Sequence, residues 1–149
     1  MQYIITDIAE ELGLYEKGLV PSTPGSAGID LYVAESRPVT IHPNVPTEIR
    51  TGLHLWTGDS NIAVFLMPRS SSKFRLTNSI GLIDSDYQGE YIVKALSNND
   101  DLVTLQPGEK FAQIVFMHIV APSQIRFMQV DDFSERTSRG TGRHGSTGK

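Results

Sequence analysis

Residues 47–55, TEIRTGLHL, alternate in character along the chain. Ile49, Thr51, Leu53 and Leu55 fall on one side, and Glu48, Arg50, Gly52 and His54 on the other. A period of two marks a strand with one buried face. Two further stretches, IAVFLM at 62–67 and IVFMHIV at 114–120, are short apolar runs. Their length and their β-branched and aromatic content predict strands buried on both faces. EYIVKAL (90–96) and QIRFMQV (124–130) are additional strand candidates. Turn chemistry separates the runs at PSTPGSAG (21–28), HPNVP (42–46), TGDSN (57–61), SNNDD (97–101) and QPGE (106–109). Strands at this spacing predict an all-β sandwich or barrel. Helix signals are sparse: SSSKFRL (70–76), opened by a serine, predicts one or two turns, and residues 8–14 another short piece. Runs that are apolar on both faces also point to a sheet face packed on another subunit in a symmetric oligomer.

Composition narrows the class. A chain of 149 residues with 39% hydrophobic and 20% charged content suits one soluble domain with a sizeable core. The net charge of −4 excludes nucleic-acid binding by bulk electrostatics. Absence of cysteine excludes a disulfide framework, thiolate zinc sites and thiol catalysis. No apolar run reaches the ~20 residues of a membrane span, and MQYIITDIAEELG does not read as a signal peptide. A bacterial or phage-infected host cytoplasm is the expected location. Charge is uneven, however. Beyond Glu135 the charged residues are all basic, Arg136, Arg139, Arg143 and Lys149, in a glycine-rich segment without apolar anchors. The expected organisation is therefore a β domain over 1–134 and a flexible arm over 135–149.

Chemistry concentrates in five stretches. GLIDSDYQGE (81–90) sets Asp84 between Leu82-Ile83 and Tyr87. Asp84 and Asp86 are read as carboxylates with separate roles, and Asp84 is the candidate base toward water. The bland reading of the same residues is a polar turn. PGSAGIDL (24–31) leads small residues to Asp30, and PRSS (68–71) puts Arg69 beside Ser70 and Ser71 at a strand end, where free backbone N–H groups suit an anion. GEKFAQIV (108–115) holds Gln113 within an apolar strand. The tail RGTGRHGSTGK imitates a phosphate-binding P-loop and fails it: Arg143 stands where the first glycine belongs, and no Ser or Thr follows Lys149. Its glycines still permit close backbone approach to phosphate. Each stretch alone also fits an ordinary structural role.

Taken together and in this order, PGSAGIDL, PRSS, NSIGLIDSDYQGE, GEKFAQIV and RGTGRHGSTG resemble the five motifs of the trimeric dUTP pyrophosphatase (dUTPase) family. The resemblance runs from about residue 21 to the C-terminus. It implies a β jelly roll, a homotrimer with sites shared between subunits, and Mg²⁺-dependent splitting of dUTP into dUMP and pyrophosphate, which keeps uracil out of DNA and supplies dUMP for dTMP synthesis. It further implies that Asp84 activates the water attacking the α-phosphorus, and that Tyr87 lies beneath the deoxyribose. A hairpin formed by 78–90, including Asn78, Gly81 and Ile83, would read the uracil edge. Arg69, Ser70, Ser71 and Gln113 would contact phosphates, with Ser70 on the oxygen bridging the α- and β-phosphates. Asp30 would organise the phosphate and metal region through water, and Mg²⁺ would sit on the substrate phosphates without a direct protein ligand. In the tail, Arg139 would meet the terminal phosphate, Gly145, Ser146 and Thr147 the phosphate backbone, and His144 the base, where the family usually has phenylalanine. Arg143 also departs from a common glycine. A dCTP deaminase of the same superfamily is the nearer alternative, disfavoured by the tyrosine beside the acid and the complete tail. A non-enzymatic jelly roll would have no use for Asp84, Tyr87 and Ser70 together.

Overall fold

The computed structural model describes residues 1–77 and 80–141. In chain order the elements are β1 (Gln2–Ile5), α1 (Asp7–Glu11), β2 (Gly28–Tyr32), β3 (Val39–Ile41), β4 (Thr47–Trp56), β5 (Ile62–Pro68), β6 (Phe74–Leu76), β7 (Gly81–Ile83), β8 (Glu90–Ser97), β9 (Val103–Leu105) and β10 (Lys110–His118), followed by a 3-10 turn at Pro122–Gln124. One sheet has the order β1-β4-β8-β6 and a second the order β2-β10-β5-β7, with β3 and β9 paired beside them. Strand pairs are antiparallel throughout. Ile49, Leu53 and Val93 of the first sheet join Leu31, Val64 and Ile114 of the second in one buried cluster. The all-β expectation therefore holds, as a sandwich. No helix among the described residues is long and apolar enough to cross a membrane.

β4 follows its alternation: Ile49, Thr51, Leu53 and Leu55 are buried and Glu48 and Arg50 exposed. Its ladder to β8 nevertheless breaks in the middle. Arg50 pairs with Ile92, and pairing resumes only at His54 with Glu90, so three residues of β4 oppose Tyr91 alone. Gly52 absorbs the excess with φ of +67°, and a Cβ there would lie 2.6 Å from the Cβ of Ala9 on α1 and 2.8 Å from that of Ala34. Side chains mend the broken ladder. The Thr51 hydroxyl donates to the Tyr91 carbonyl at 2.6 Å, the Tyr91 hydroxyl donates to the Leu55 carbonyl at 2.8 Å, and the Tyr15 hydroxyl donates to the Thr51 carbonyl at 2.9 Å. Burial, with Tyr87 nearby, pushes the Tyr91 phenol up to about 12, so it remains a donor at neutral pH.

Several expectations change. SSSKFRL is not helical. Ser70 and Ser71 form a turn, while the Ser72 hydroxyl accepts from the Arg69 N–H at 3.1 Å and donates to the Phe111 carbonyl at 3.3 Å. A serine so engaged competes with helical bonding. Phe74 and Leu76 are then buried and Arg75 exposed, which is strand periodicity, and they pair with β8. Residues 8–14 do contribute a helix, α1, whose Ala9 is buried. QIRFMQV is not a strand: beyond the 3-10 turn it pairs with no strand among the described residues, with Phe127 80% and Met128 75% exposed. Nor are the apolar runs buried throughout. Ala63, Val64 and Leu66 are buried, but Met117, Ile119 and Val120 lie exposed.

Gly52→Ala is expected to cost about 2–4 kcal/mol, from the left-handed backbone and the clash with Ala9 and Ala34. Urea unfolding of the full chain measures it, and a midpoint equal to that of the unsubstituted protein would show that the bulge tolerates a side chain.

Candidate functional site

The second sheet gathers three of the sequence-predicted residues at one end. In register, Gln113 of β10 lies opposite Asp30 of β2 on one side and Met67 of β5 on the other. Arg69 follows directly as β5 ends. Its Nε meets Asp30 Oδ1 at 3.0 Å, and Lys110 Nζ meets Asp30 Oδ2 at 2.9 Å. The Ser22 hydroxyl donates to the same Oδ2 at 3.0 Å. Burial works to raise the Asp30 carboxyl, but Lys110, Ser22 and Arg69 together outweigh it and hold it below the usual carboxylate range. The Gln113 amide donates to the Pro68 carbonyl at 3.1 Å, and its oxygen lies across Gly28, where any Cβ would collide with it. The glycine of the first motif is thus needed for this approach. Arg69 Nη1 also donates to the Lys110 carbonyl at 3.3 Å, while Ser70 and Ser71 are exposed beside it. Two cations around one carboxylate, with exposed hydroxyls and an amide, make an anion-accepting surface.

Lys110 was not singled out by sequence reasoning. It packs over the Tyr32 ring, 5.6 Å from the centroid. The signal available was its place in GEKFAQIV, three residues before Gln113.

Asp84 sits where the chain leaves β7. Gly81 is buried opposite Leu66, and Ile83 is half-buried opposite Val64. β7 pairs with β5 in one sheet and β8 with β4 and β6 in the other. The described part of 78–90 is therefore a crossing between sheets and not the expected hairpin. An extended chain would put Asp84 and Asp86 on one face, but a turn at Ser85–Asp86 separates them. The Tyr87 N–H closes that turn on the Asp84 carbonyl at 3.2 Å. Asp84 is exposed, and Tyr87 is 43% exposed. Side chains from the end of β4 and the residue after it hold the crossing: Thr57 donates to the Ser85 carbonyl at 3.3 Å, and His54 Nδ1 lies 3.1 Å from the Gln88 carbonyl. Neither was legible from motif spacing, because both act on main-chain atoms.

Within one chain the two groups stand apart. Asp84 follows the residue opposite Val64, and Arg69 follows Pro68 at the other end of β5. At ~3.3 Å per residue the separation is roughly 15–20 Å. Asn78, His144, Gly145, Ser146 and Thr147 lie outside the described residues. Arg139 is described and exposed, just before Gly140, whose N–H is bonded to the Thr137 carbonyl. Among the described residues no three His, Asp or Glu side chains form a metal-binding group.

Comparison with known proteins adds the family. The dUTPase family model matches residues 16–148. The chain is 42% identical over 131 residues to the deoxyuridine 5'-triphosphate nucleotidohydrolase of Hahella chejuensis, covering 85% of this chain and 84% of that one. In fold it is similar to the dUTPase of Staphylococcus bacteriophage 80alpha with bound dUPNHPP (TM-score 0.76, 19% identity, 99% and 98% coverage). It is also similar to a variant dUTPase from phage phi11 of S. aureus that coordinates a structural Mg(II) ion (TM-score 0.70, 18% identity, 90% and 98% coverage). The sequence match extends over most of the chain and takes in the stretches carrying Asp30, Arg69, Asp84 and Gln113, so the chain belongs to the dUTPase family of hydrolases.

Proposed function

We propose that this protein hydrolyses dUTP to dUMP and pyrophosphate at composite sites shared between the subunits of a homotrimer. The observation that carries the composite reading is the separation along β5. Asp30, Arg69 and Gln113 cluster at one end and Asp84 and Tyr87 at the other, too far apart for one triphosphate to engage both groups within a chain. Apposition of the two ends from different chains brings them together. Apolar surface supports the same reading. Phe65, Leu82, Val115 and Met117 share the outer face of the second sheet by register, and Phe127 and Phe133 are each at least 80% exposed. Such area in a soluble chain favours burial against further copies.

Roles follow from chemistry. The Asp84 carboxylate takes a proton from water as its oxygen bonds to the α-phosphorus, and the bond from that phosphorus to the bridging oxygen breaks. The Ser70 hydroxyl donates to that bridging oxygen, where negative charge develops on pyrophosphate departure. Arg69 and Gln113 orient the phosphates, with Ser71 beside them, and Asp30 holds Arg69 in place. Tyr87 offers the face beneath the deoxyribose, and the segment around Asn78, Gly81 and Ile83 reads uracil through main-chain polar groups. Arg, Ser and Gln donors suit phosphate oxygens and not a dehydrated cation, so the residues present fit Mg²⁺ carried on the phosphates with its own waters. When bound there, Mg²⁺ offsets phosphate charge. Arg139, His144, Gly145, Ser146 and Thr147 in the tail close over the bound nucleotide.

Asp84→Asn is expected to retain binding of a non-hydrolysable dUTP analogue while turnover falls by about 10²–10⁴-fold. Arg69→Ala is expected to be nearly inactive for loss of phosphate contacts. Co-refolding these two inactive variants then restores part of the activity through sites that take Asp84 from one chain and Arg69 from another. No recovery in verified mixed trimers would place each site within one chain.

Tyr87→Ala is expected to raise kcat/KM for UTP relative to dUTP. An unchanged ratio would remove the sugar-facing role.

Truncation before Arg139 is expected to leave a folded trimer that binds dUMP and turns over dUTP poorly. Steady-state rates of the shortened chain check this, and full activity would mean that the tail takes no part.

A further inference from the structure

Glu90 opens β8 with a side chain only 8% exposed. A carboxylate so far removed from water requires partners. Its Oε2 accepts from Arg50 Nε at 2.9 Å and Nη2 at 2.6 Å. Its Oε1 accepts from the Gly52 backbone N–H at 2.9 Å. That N–H lies in the stretch of β4 without residue partners on β8, so the carboxylate stands in for a missing strand carbonyl. The main chain of the same residue has a second task, since its carbonyl accepts the Tyr87 hydroxyl at 3.1 Å. The Tyr87 ring rests on Gly89, where a Cβ would collide with the phenol oxygen. It also stacks on Tyr91, with centroids 6.2 Å apart and planes inclined by 26°. Tyr87 is thus pinned at its hydroxyl by Glu90, and Glu90 is pinned by Arg50 and the bulge.

We propose that Glu90, locked by Arg50 and the Gly52 amide, is a positioning residue that fixes the Tyr87 ring and thereby sets discrimination against ribonucleotides. The inference rests on the reading of Tyr87 as the surface beneath the sugar. Exclusion of a hydroxyl by a ring face depends on the ring holding its plane, because a small tilt opens the space that one oxygen needs. Stacking on Tyr91 leaves the ring free to slide, and the hydrogen bond to Glu90 removes that freedom. Arg50 reaches the Tyr87 segment through Glu90, while its backbone N–H donates to Glu35 Oε1 at 3.3 Å. Its side chain is 52% exposed, and its guanidinium bonds go to the Glu90 carboxylate.

The test measures kcat and KM for dUTP and UTP in the full-length protein and in R50Q, E90Q, E90A, R50Q/E90A, Y87A and E48Q, well below each melting temperature. R50Q and E90A are each expected to lower the preference for dUTP by about tenfold, through a raised kcat/KM for UTP. The double variant falls no further than E90A, as expected for residues acting in series. E90Q keeps an acceptor for the Gly52 N–H and retains more of the preference than E90A. Glu48 and Lys94 form another ion pair between β4 and β8, at 2.9 Å, and E48Q is expected to leave the preference unchanged. Should E90A fail to fold, R50Q carries the comparison, because Arg50 is half-exposed. Folded R50Q and E90Q with unaltered preference, while Y87A lowers it, would overturn the inference and leave the role of Tyr87 standing. A loss in E48Q equal to that in R50Q would overturn it as a general effect of strand pairing. An unaltered preference in Y87A itself would remove the underlying reading.

Discussion

The structure turns on a broken ladder. β4 carries two residues more than β8 can pair between Arg50 and His54, and buried backbone groups left without partners are costly. Three devices absorb the mismatch. Gly52 takes a left-handed conformation, Thr51 supplies a hydroxyl to the Tyr91 carbonyl, and Glu90 supplies a carboxylate to the Gly52 N–H. None of these is a packing contact in the ordinary sense, yet each fixes the position of β8 against β4. The segment carrying Asp84 and Tyr87 ends on Glu90. Its placement therefore depends on how the bulge is satisfied, and the buried Thr51 is a structural necessity of the core.

The second sheet solves a different problem. Gln113 can cross Gly28 because no Cβ stands there, and its neighbours on either side in register are Asp30 and Met67. Arg69 emerges just beyond, free of the ladder. One end of the sheet thus presents an acid, two cations and an amide within one small area. The same sheet sends Asp84 from its far end. One rigid scaffold holds both groups accurately while keeping them apart, so assembly of several chains is the proposed means of uniting them, and the apolar outer face is the surface on which that assembly would rest.

Much of this was legible in the sequence, for reasons that can be located. Period-two alternation in TEIRTGLHL identified β4 and its buried face, since a side-chain pattern of that kind has one solution. The pattern could not reveal the bulge, because Gly52 occupies a polar-phase position and betrays no register. SSSKFRL misled because serine is a good N-cap, while the alternation of Phe74, Arg75 and Leu76 lay within only three residues. QIRFMQV has a strand's composition but finds no pairing partner among the described residues of its own chain, and β-propensity describes fit to a neighbour more than an intrinsic preference. Asp30, Arg69, Gln113 and Asp84 were singled out because acids, a guanidinium and an amide in those stretches carry chemistry in their side chains. Lys110, Glu90, His54 and Thr57 were overlooked since they act on other protein groups, and such partners become visible only in three dimensions.

The carboxylate of Asp30 presents an apparent contradiction in a surface proposed to bind phosphate. An acid there repels a triphosphate, and its pKa, held low by Lys110, Ser22 and Arg69 against the effect of burial, keeps it ionised. Consider the surface without it. Arg69 and Lys110 would then face one another as like charges, each free to turn toward water. Asp30 binds the Arg69 Nε edge with one oxygen and Lys110 with the other. It thereby converts two flexible cations into fixed ones, with a net positive charge remaining. A guanidinium held by Nε and Nη1 still has Nη2 to offer in a defined direction. Orientation is what a phosphoryl-transfer site most needs from its cations. On this view, the acid gives up some attraction for the proposed substrate in exchange for geometry, and its partly buried place on β2, opposite Gln113 of β10, keeps that geometry from relaxing into solvent.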